Sequence, residues 1–313
     1  MEEWSGDTVI IGAGLTGLAL AAQLKDRGVE NVIILEMDED IGGLLRWLKH
    51  LKLISPFDKN EILPTELLDV YRSKITEMNI QVLTNTTAIK IEEGPRVISV
   101  NPKIGVLKIN AKKVVIATGG REINQYDLRI LGSRPSGIFT SLTAIQLIRR
   151  FNKKIGKDVV LYGNNEILVE AYLWLKEIGM RVKAIVCPEN RKLGILEAIS
   201  DEGIPFYRKK KVVFLDGLKR LQSITISDEN GDMEKIMCDT LILGFGFTPD
   251  ITILANSAGE IDLEKKVPQI DEKYMTSIKN VFACGHFAKR YTTMKKAIEE
   301  TIAITDKIIE TIN

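Results

Sequence analysis

The stretch Gly12-Ala-Gly14-Leu-Thr-Gly17 constrains this chain more than any other. Ahead of it, Asp7-Thr-Val-Ile-Ile11 is a short apolar run rich in β-branched residues, as in a buried parallel strand. Behind it, Leu18 to Lys25 reads as a helix and Asn31-Val-Ile-Ile-Leu-Glu36 as a second strand. The three glycines have separate jobs in such a βαβ unit. Gly12 permits the tight turn, Gly14 lets the backbone approach a pyrophosphate, and Gly17 lets helix and strand pack closely. The helix N-terminus then presents N–H groups and a partial positive charge to the phosphates. Glu36 lies 22 positions beyond Gly14, at the end of the second strand, where a carboxylate accepts from the hydroxyls of an adenosine ribose. The segment therefore predicts a dinucleotide site.

The pattern then repeats. Alternating segments at Ala88–Glu92, Arg96–Val100 and Gly105–Ile109, divided by turn residues, predict a small antiparallel meander. Lys113-Val-Val-Ile-Ala117 returns to a buried strand and ends in Thr118-Gly119-Gly120. A second βαβ begins at Asp158-Val-Val-Leu-Tyr-Gly163, with a helix over 165–178 and a strand at Arg181–Val186. A second alternating patch (Lys211–Leu215, Ser223–Ser227) and a strand Asp239–Leu243 follow, the latter closing on Gly244-Phe-Gly246. The chain ends in a strand at Asn280–Gly285 and a helix over 293–312. The expected fold is α/β, with two Rossmann-like three-layer domains. One is discontinuous, over 1–120 and 244–313; the other, 121–243, is inserted into it.

The second glycine motif is altered. Where the fingerprint expects glycines, the chain reads Gly163-Asn-Asn165-Glu-Ile-Leu168. Asn165 puts a side chain where backbone should meet phosphate, and Leu168 replaces the glycine of close packing. Glu166 and Glu170, in the first turns, are expected to repel a pyrophosphate. Glu189 and Arg191 follow the second strand as candidates for ribose and 2′-phosphate contacts. Gly163, Asn165 and Glu166 are thus a weak second nucleotide site, open to NAD(P)H, to another adenine nucleotide, or to neither.

Composition narrows the class. The 313 residues suit about two domains. With 43 Lys+Arg against 42 Asp+Glu, no net field favours nucleic acid or an anionic membrane. Apolar runs fall short of the roughly 20 residues of a membrane helix, and the acidic start lacks signal-peptide character. A cytoplasmic protein is expected, and abundant Lys, Glu and Ile hint at a hot habitat. Three cysteines (Cys187, Cys238, Cys284) provide no C-x-x-C pair, which rules out dithiol–disulfide relay chemistry. Two histidines, His50 and His286, and isolated cysteines make no metal site.

Beyond the first motif the chain resembles the flavoproteins with two dinucleotide-binding domains, the pyridine nucleotide-disulfide oxidoreductase family, at thioredoxin-reductase-like size. Gly42-Gly43 resembles the glycine pair on the flavin side, and Ala117-Thr118-Gly119 the family's ATG motif. Thr276-Ser-Ile-Lys-Asn-Val-Phe-Ala-Cys-Gly285 resembles the late motif beside the ribityl chain, with His286 where that motif has Asp. His286 either fills that position with altered polarity or titrates near the flavin. The resemblance implies an FAD-dependent oxidoreductase. It also implies a cofactor-binding set of Gly12, Gly14, Leu15, Thr16, Gly17, Glu36, Gly42, Gly43, Ala88, Ala117, Thr118, Gly119, Gly285, His286, Lys296 and Ala297. The last two open a helix aimed at the flavin. Trp47 and His50 follow the glycine pair and are expected to run near the flavin, without a catalytic acid or base among them.

Gly119-Gly-Arg-Glu122 and Leu131-Gly-Ser-Arg-Pro-Ser-Gly-Ile-Phe-Thr140 further resemble flavoprotein subunits of dye-linked proline dehydrogenases, hydrogen cyanide synthase and the sarcosine oxidase α chain. The resemblance implies an electron-transfer subunit working with a second dehydrogenase subunit. Two alternatives stay open. One is a stand-alone NAD(P)H-dependent flavin reductase, for instance a homodimer, passing electrons to ferredoxin, oxygen or a quinone. The other is a regulatory subunit that binds a nucleotide without turnover.

Overall fold

The computed structural model describes residues 2–189, 199, 202–289, 305–307 and 309–310. The chain divides into two compact units. Unit 1 comprises 1–48, 52–121 and 247–313; unit 2 comprises 49–51 and 122–246.

Unit 1 opens with β1 (Glu2–Ile11), α1 (Leu15–Asp26) and β2 (Val32–Leu35). Then come α2 (Pro64–Glu77), β3 (Gln81–Leu83), β4 (Thr87–Glu92), β5 (Arg96–Asn101) and β6 (Gly105–Ile116). They form one seven-stranded sheet in the order β3-β2-β1-β6-β5-β4, and the late strand Val281–Ala283 also pairs with β6. β1, β2 and β3 run parallel, as do β1 and β6; β4, β5 and β6 are antiparallel neighbours.

This corrects the expectation of a separate meander followed by a new strand at Lys113. β6 is continuous, and its edges are shared. One edge pairs with β1 along Glu2–Ile11; the other pairs with β5 near Asn110 and with Val281–Ala283 near Ile116. Side chains from the parallel and antiparallel parts fill one core, with Val9, Ile33 and Val114 in the same cluster as Ile91, Val97 and Leu107. α1 is apolar nearly all round, and Leu18, Leu20, Ala21 and Leu24 are buried, as expected of a helix enclosed on every side. α2 falls in a stretch for which the sequence patterns predict no element. Its signals are Pro64 at the first helical position and Glu66, whose carboxylate accepts from the Leu63 N–H at 3.0 Å.

Unit 2 contains β7 (Ile138–Thr140), α3 (Ser141–Phe151), β8 (Asp158–Gly163), α4 (Glu166–Glu177), β9 (Arg181–Cys187) and β10 (Phe206–Arg208). β11 (Lys211–Gly217), β12 (Leu221–Ser227), β13 (Met233–Met237) and β14 (Thr240–Gly244) complete it. A five-stranded sheet has the order β7-β14-β8-β9-β10, and every pair in it is parallel. The second alternating patch forms a four-stranded sheet, Leu131–Gly132 with β11, β12 and β13. In the five-stranded sheet the strand order reverses direction beside β8 and β14. Open α/β sheets offer a ligand crevice at the carboxyl ends of such strands. The predicted C-terminal helix lies mostly outside the described residues; 305–307 and 309–310 are helical.

Candidate functional site

In unit 1 the first glycine motif makes the turn its spacing predicts. Gly12 has φ +109° and donates to Leu35 O at 2.7 Å. A Cβ there would stand 2.5 Å from Ala117 O, so the end of β6 closes down on the turn. A Cβ at Gly17 would overlap Gly12 O. Gly14 differs from both: a Cβ there would meet no atom within 4 Å. It is the N-cap of α1, no side chain caps it, and no acidic residue lies in the first turn with Leu15, Thr16 and Gly17. Helix N-termini present N–H groups lacking intrahelical partners. Open space in front of Gly14 and an uncapped twelve-residue helix fit a diphosphate.

Two further segments converge there. Gly42 N donates to Ala13 O at 2.8 Å, and a Cβ at Gly43 would sit 3.2 Å from Gly14 Cα. A Cβ at Gly285 would sit 2.6 Å from Thr16 Oγ1. The structure thus brings Gly12–Gly17, Gly42-Gly43, Ala117 and Gly285 together. Thr118 and Gly119 follow Ala117 directly. Ala88 stands in β4, and its side chain packs on the core. Thr86, two residues earlier, donates its N–H to Glu36 O at 2.8 Å. Lys296 and Ala297 lie outside the described residues, as does Arg191 of the second site.

Glu36 is buried. Its Oε2 accepts from Ala13 N at 2.8 Å and its Oε1 from Asp38 N at 2.9 Å. A carboxylate has about four acceptor sites, so each oxygen keeps capacity for one hydroxyl of a ribose. Burial pushes the Glu36 carboxyl up, against the amide bonds, which hold it down. His286 is half-buried, edge-on to Phe247 with ring centroids 5.7 Å apart. Burial pushes its imidazole down to about 4, so the ring is neutral at neutral pH.

In unit 2 the second motif keeps its turn. Gly163 has φ +145°, a Cβ there would overlap Gly244 O, and Asn164 N donates to the same oxygen at 2.9 Å. Asn165 caps α4: its Oδ1 accepts from Leu168 N at 2.9 Å. Glu166 lies in the first turn. Two expectations are corrected here. Leu168 does not spoil the close packing of helix on sheet, because the glycine has moved to the facing strand. A Cβ at Gly244 would overlap the Leu168 Cβ. Glu170 does not face a phosphate. It is fully buried and accepts from Lys49 N at 2.7 Å, His50 N at 3.0 Å, Leu51 N at 3.0 Å and Trp174 Nε1 at 2.9 Å.

His50 meets the same carboxylate. Its Nδ1 is 2.9 Å from Glu170 Oε1, and its Nε2 is 3.2 Å from Glu177 Oε2. Glu170 and His50 therefore hold residues 49–51 within unit 2. Sequence reasoning could not foresee this, because the partners lie 120 positions apart. The three cysteines are free and buried. Burial pushes the thiols of Cys238 and Cys284 up to about 12, and that of Cys187 upward too. Among the described residues no helix is long and apolar enough to cross a membrane.

Comparison with known proteins agrees with this geometry. The family model described as pyridine nucleotide-disulphide oxidoreductase matches residues 6–301. A ferredoxin–NADP reductase of Picrophilus torridus is 25% identical over 92% of this chain and 86% of that protein. An NAD(P)H sulfur oxidoreductase (CoA-dependent) of Pyrococcus abyssi is 28% identical over 90% of this chain and 62% of that protein. In fold, the chain is similar to T. acidophilum thioredoxin reductase, with TM-score 0.76, 18% identity and 99% of each chain covered. It is also similar to L-proline dehydrogenase from P. horikoshii, with TM-score 0.69, 19% identity and coverage of 99% of this chain and 56% of that one. The chain belongs to the pyridine nucleotide-disulphide oxidoreductase family and is an FAD-dependent oxidoreductase.

Proposed function

We propose that the protein passes electrons from NAD(P)H through FAD to an external acceptor, with no protein disulfide in the path. The state of the thiols carries this reading. Thiolate, not thiol, is the nucleophile of disulfide exchange, and all three cysteines are buried with pKa values raised by burial. The relative from P. torridus is named a ferredoxin–NADP reductase, which supports a one-electron carrier protein as the acceptor.

A bound flavin supplies the redox chemistry; the chain's own residues bind and orient it. Gly14 and the N-terminus of α1 receive the diphosphate, and Glu36 receives the adenosine ribose. Gly42, Gly43 and Gly285 let backbone close around the cofactor, with Ala117, Thr118 and Gly119 along its edge. Ala88, His286, Lys296 and Ala297 complete the proposed set. The proposal includes a cytoplasmic location. NAD(P)H is assigned to the crevice beside Gly163 and Gly244.

A second reading is favoured by the α4 N-terminus, where the Asn165 side chain takes one amide and Glu166 adds negative charge. There the chain is the electron-transfer flavoprotein of a multi-subunit dehydrogenase and takes its electrons from a partner subunit. Anaerobic titration of the FAD-loaded protein with NADH and NADPH separates the two. Loss of the visible flavin absorbance is expected, unchanged when all three cysteines are replaced by serine. A flavin bleached by dithionite but by neither nicotinamide would overturn the first reading in favour of the second.

A further inference from the structure

The ribose end of the unit 1 site holds a cation, Arg46. Arg46 closes the short turn Gly43–Arg46, whose first residue rests on Gly14. Its side chain is only 12% exposed, and its guanidinium pairs with the Asp38 carboxylate. Asp38 in turn donates its N–H to Glu36. Glu36 and Asp38 are thus two like charges, two residues apart, with Glu36 buried between amides. Burial, and to a smaller extent proximity to Asp38, oppose ionisation of Glu36; the two amide bonds and, less strongly, Arg46 favour it. The other charges of this bend are Glu39 and Asp40. The nearby cation of α2, Arg72, is engaged by Asp40 at 2.6 Å and Asp69 at 3.1 Å. Thr86 contributes only an amide, bound to Glu36 O.

We propose that Arg46 is a positioning residue for FAD: by neutralising Asp38 it keeps Glu36 ionised, the state in which each carboxylate oxygen accepts from both an amide and a ribose hydroxyl. A protonated Glu36 would turn one acceptor into a donor among amide donors, and the ribose would lose a charge-assisted bond. FAD affinity should therefore fall as pH falls through the Glu36 pKa. The charge on Arg46 sets where that fall begins. The inference rests on FAD binding and is independent of the electron donor and acceptor.

The test is the Kd of FAD for the apoprotein from pH 5 to 9, read from FAD fluorescence quenching. Four proteins are compared: wild type, Arg46→Met, Asp38→Asn and Glu36→Gln. In Arg46→Met the loss of affinity should begin at higher pH, leaving binding about tenfold weaker than wild type at pH 6 and nearly equal at pH 9 (about 1.4 kcal/mol for the tenfold change). Asp38→Asn should move the onset to lower pH, and this arm holds even if Arg46→Met folds poorly. Glu36→Gln should bind weakly and without pH dependence. A loss in Arg46→Met that is uniform across pH, or an unmoved onset in Asp38→Asn, would overturn the proposal while leaving the cofactor in place. Failure of wild type to bind FAD at any pH would overturn both.

Discussion

The two strand–glycine–helix turns of this chain, Gly12–Gly17 and Gly163–Leu168, meet the same packing demand with glycine in different places. In the first, Gly17 on the helix lies against the turn backbone at Gly12. In the second, the helix carries Leu168, and Gly244 on the neighbouring strand gives way instead. Close approach of helix to sheet needs one missing side chain, and either partner can lack it. The proposed phosphate position allows no such exchange. Gly14 faces open space; Asn165 fills the corresponding place and spends its side chain on Leu168 N. The packing role of a glycine can move across an interface, but a ligand-facing role cannot, because the ligand approaches from one side only.

The buried carboxylates of the two units extend the contrast. Glu36 serves two amides and keeps acceptor capacity. Glu170 is occupied by three successive amides, an indole and an imidazole. One keeps room for further donors, and the other is taken up by its own chain.

Three sets of substitutions test the comparison, beginning with the one expected to cost both the fold and the cofactor. Gly17→Ala forces a Cβ onto Gly12 O, which is backbone and cannot rotate away. Destabilisation of about 3 kcal/mol and loss of bound FAD are expected in thermal unfolding of the purified protein. A stable, FAD-loaded variant would break the claim that Gly17 has no substitute.

Next is the Leu168–Gly244 pair. Leu168→Ala should cost about 2–5 kcal/mol through the cavity it leaves, and Gly244→Ala about 1–3 kcal/mol through overpacking. The double variant keeps the Cβ–Cβ conflict but relieves the contact with Leu168 Cγ, so it should be more stable than the sum of the singles by about 0.5 kcal/mol or more, measured as a double-mutant cycle in urea. Strict additivity would mean that the two positions do not share one role.

The smallest effect is at Asn165. Asn165→Gly should lose only a few tenths of a kcal/mol of stability, while Asn165→Ala should lose about 1. The glycine variant should also tighten NAD(P)H binding, since it opens the backbone to phosphate. Unchanged or weaker nicotinamide binding in that variant would show that Asn165 is itself part of the recognition.

The local signals in the sequence proved accurate wherever the determining neighbours lay within a turn or two. The strand before Gly12, the helix after it and the repeat of the pattern at Gly163 were all legible, because local spacing sets where a strand gives way to a helix. The continuity of β6 was not legible. The polar stretch Asn110-Ala-Lys-Lys113 breaks the apolar run without breaking the strand, which is held by β1 on one side. α2 was also missed, although Pro64 and Glu66 mark its start.

What the sequence by itself determined is the identity of the first nucleotide turn and the chain's membership in a two-nucleotide flavoprotein family. What only the tertiary structure decided is which side chains answer to distant partners. Gly244 answers to Leu168, 76 positions away; Glu170 answers to Lys49–Leu51; Arg46 answers to Asp38 and so to Glu36. The reason is physical. A glycine turn acts through its own backbone, whose geometry travels with the sequence. The cost of a buried carboxylate or a crowded Cβ depends on atoms that the chain brings alongside only when it folds.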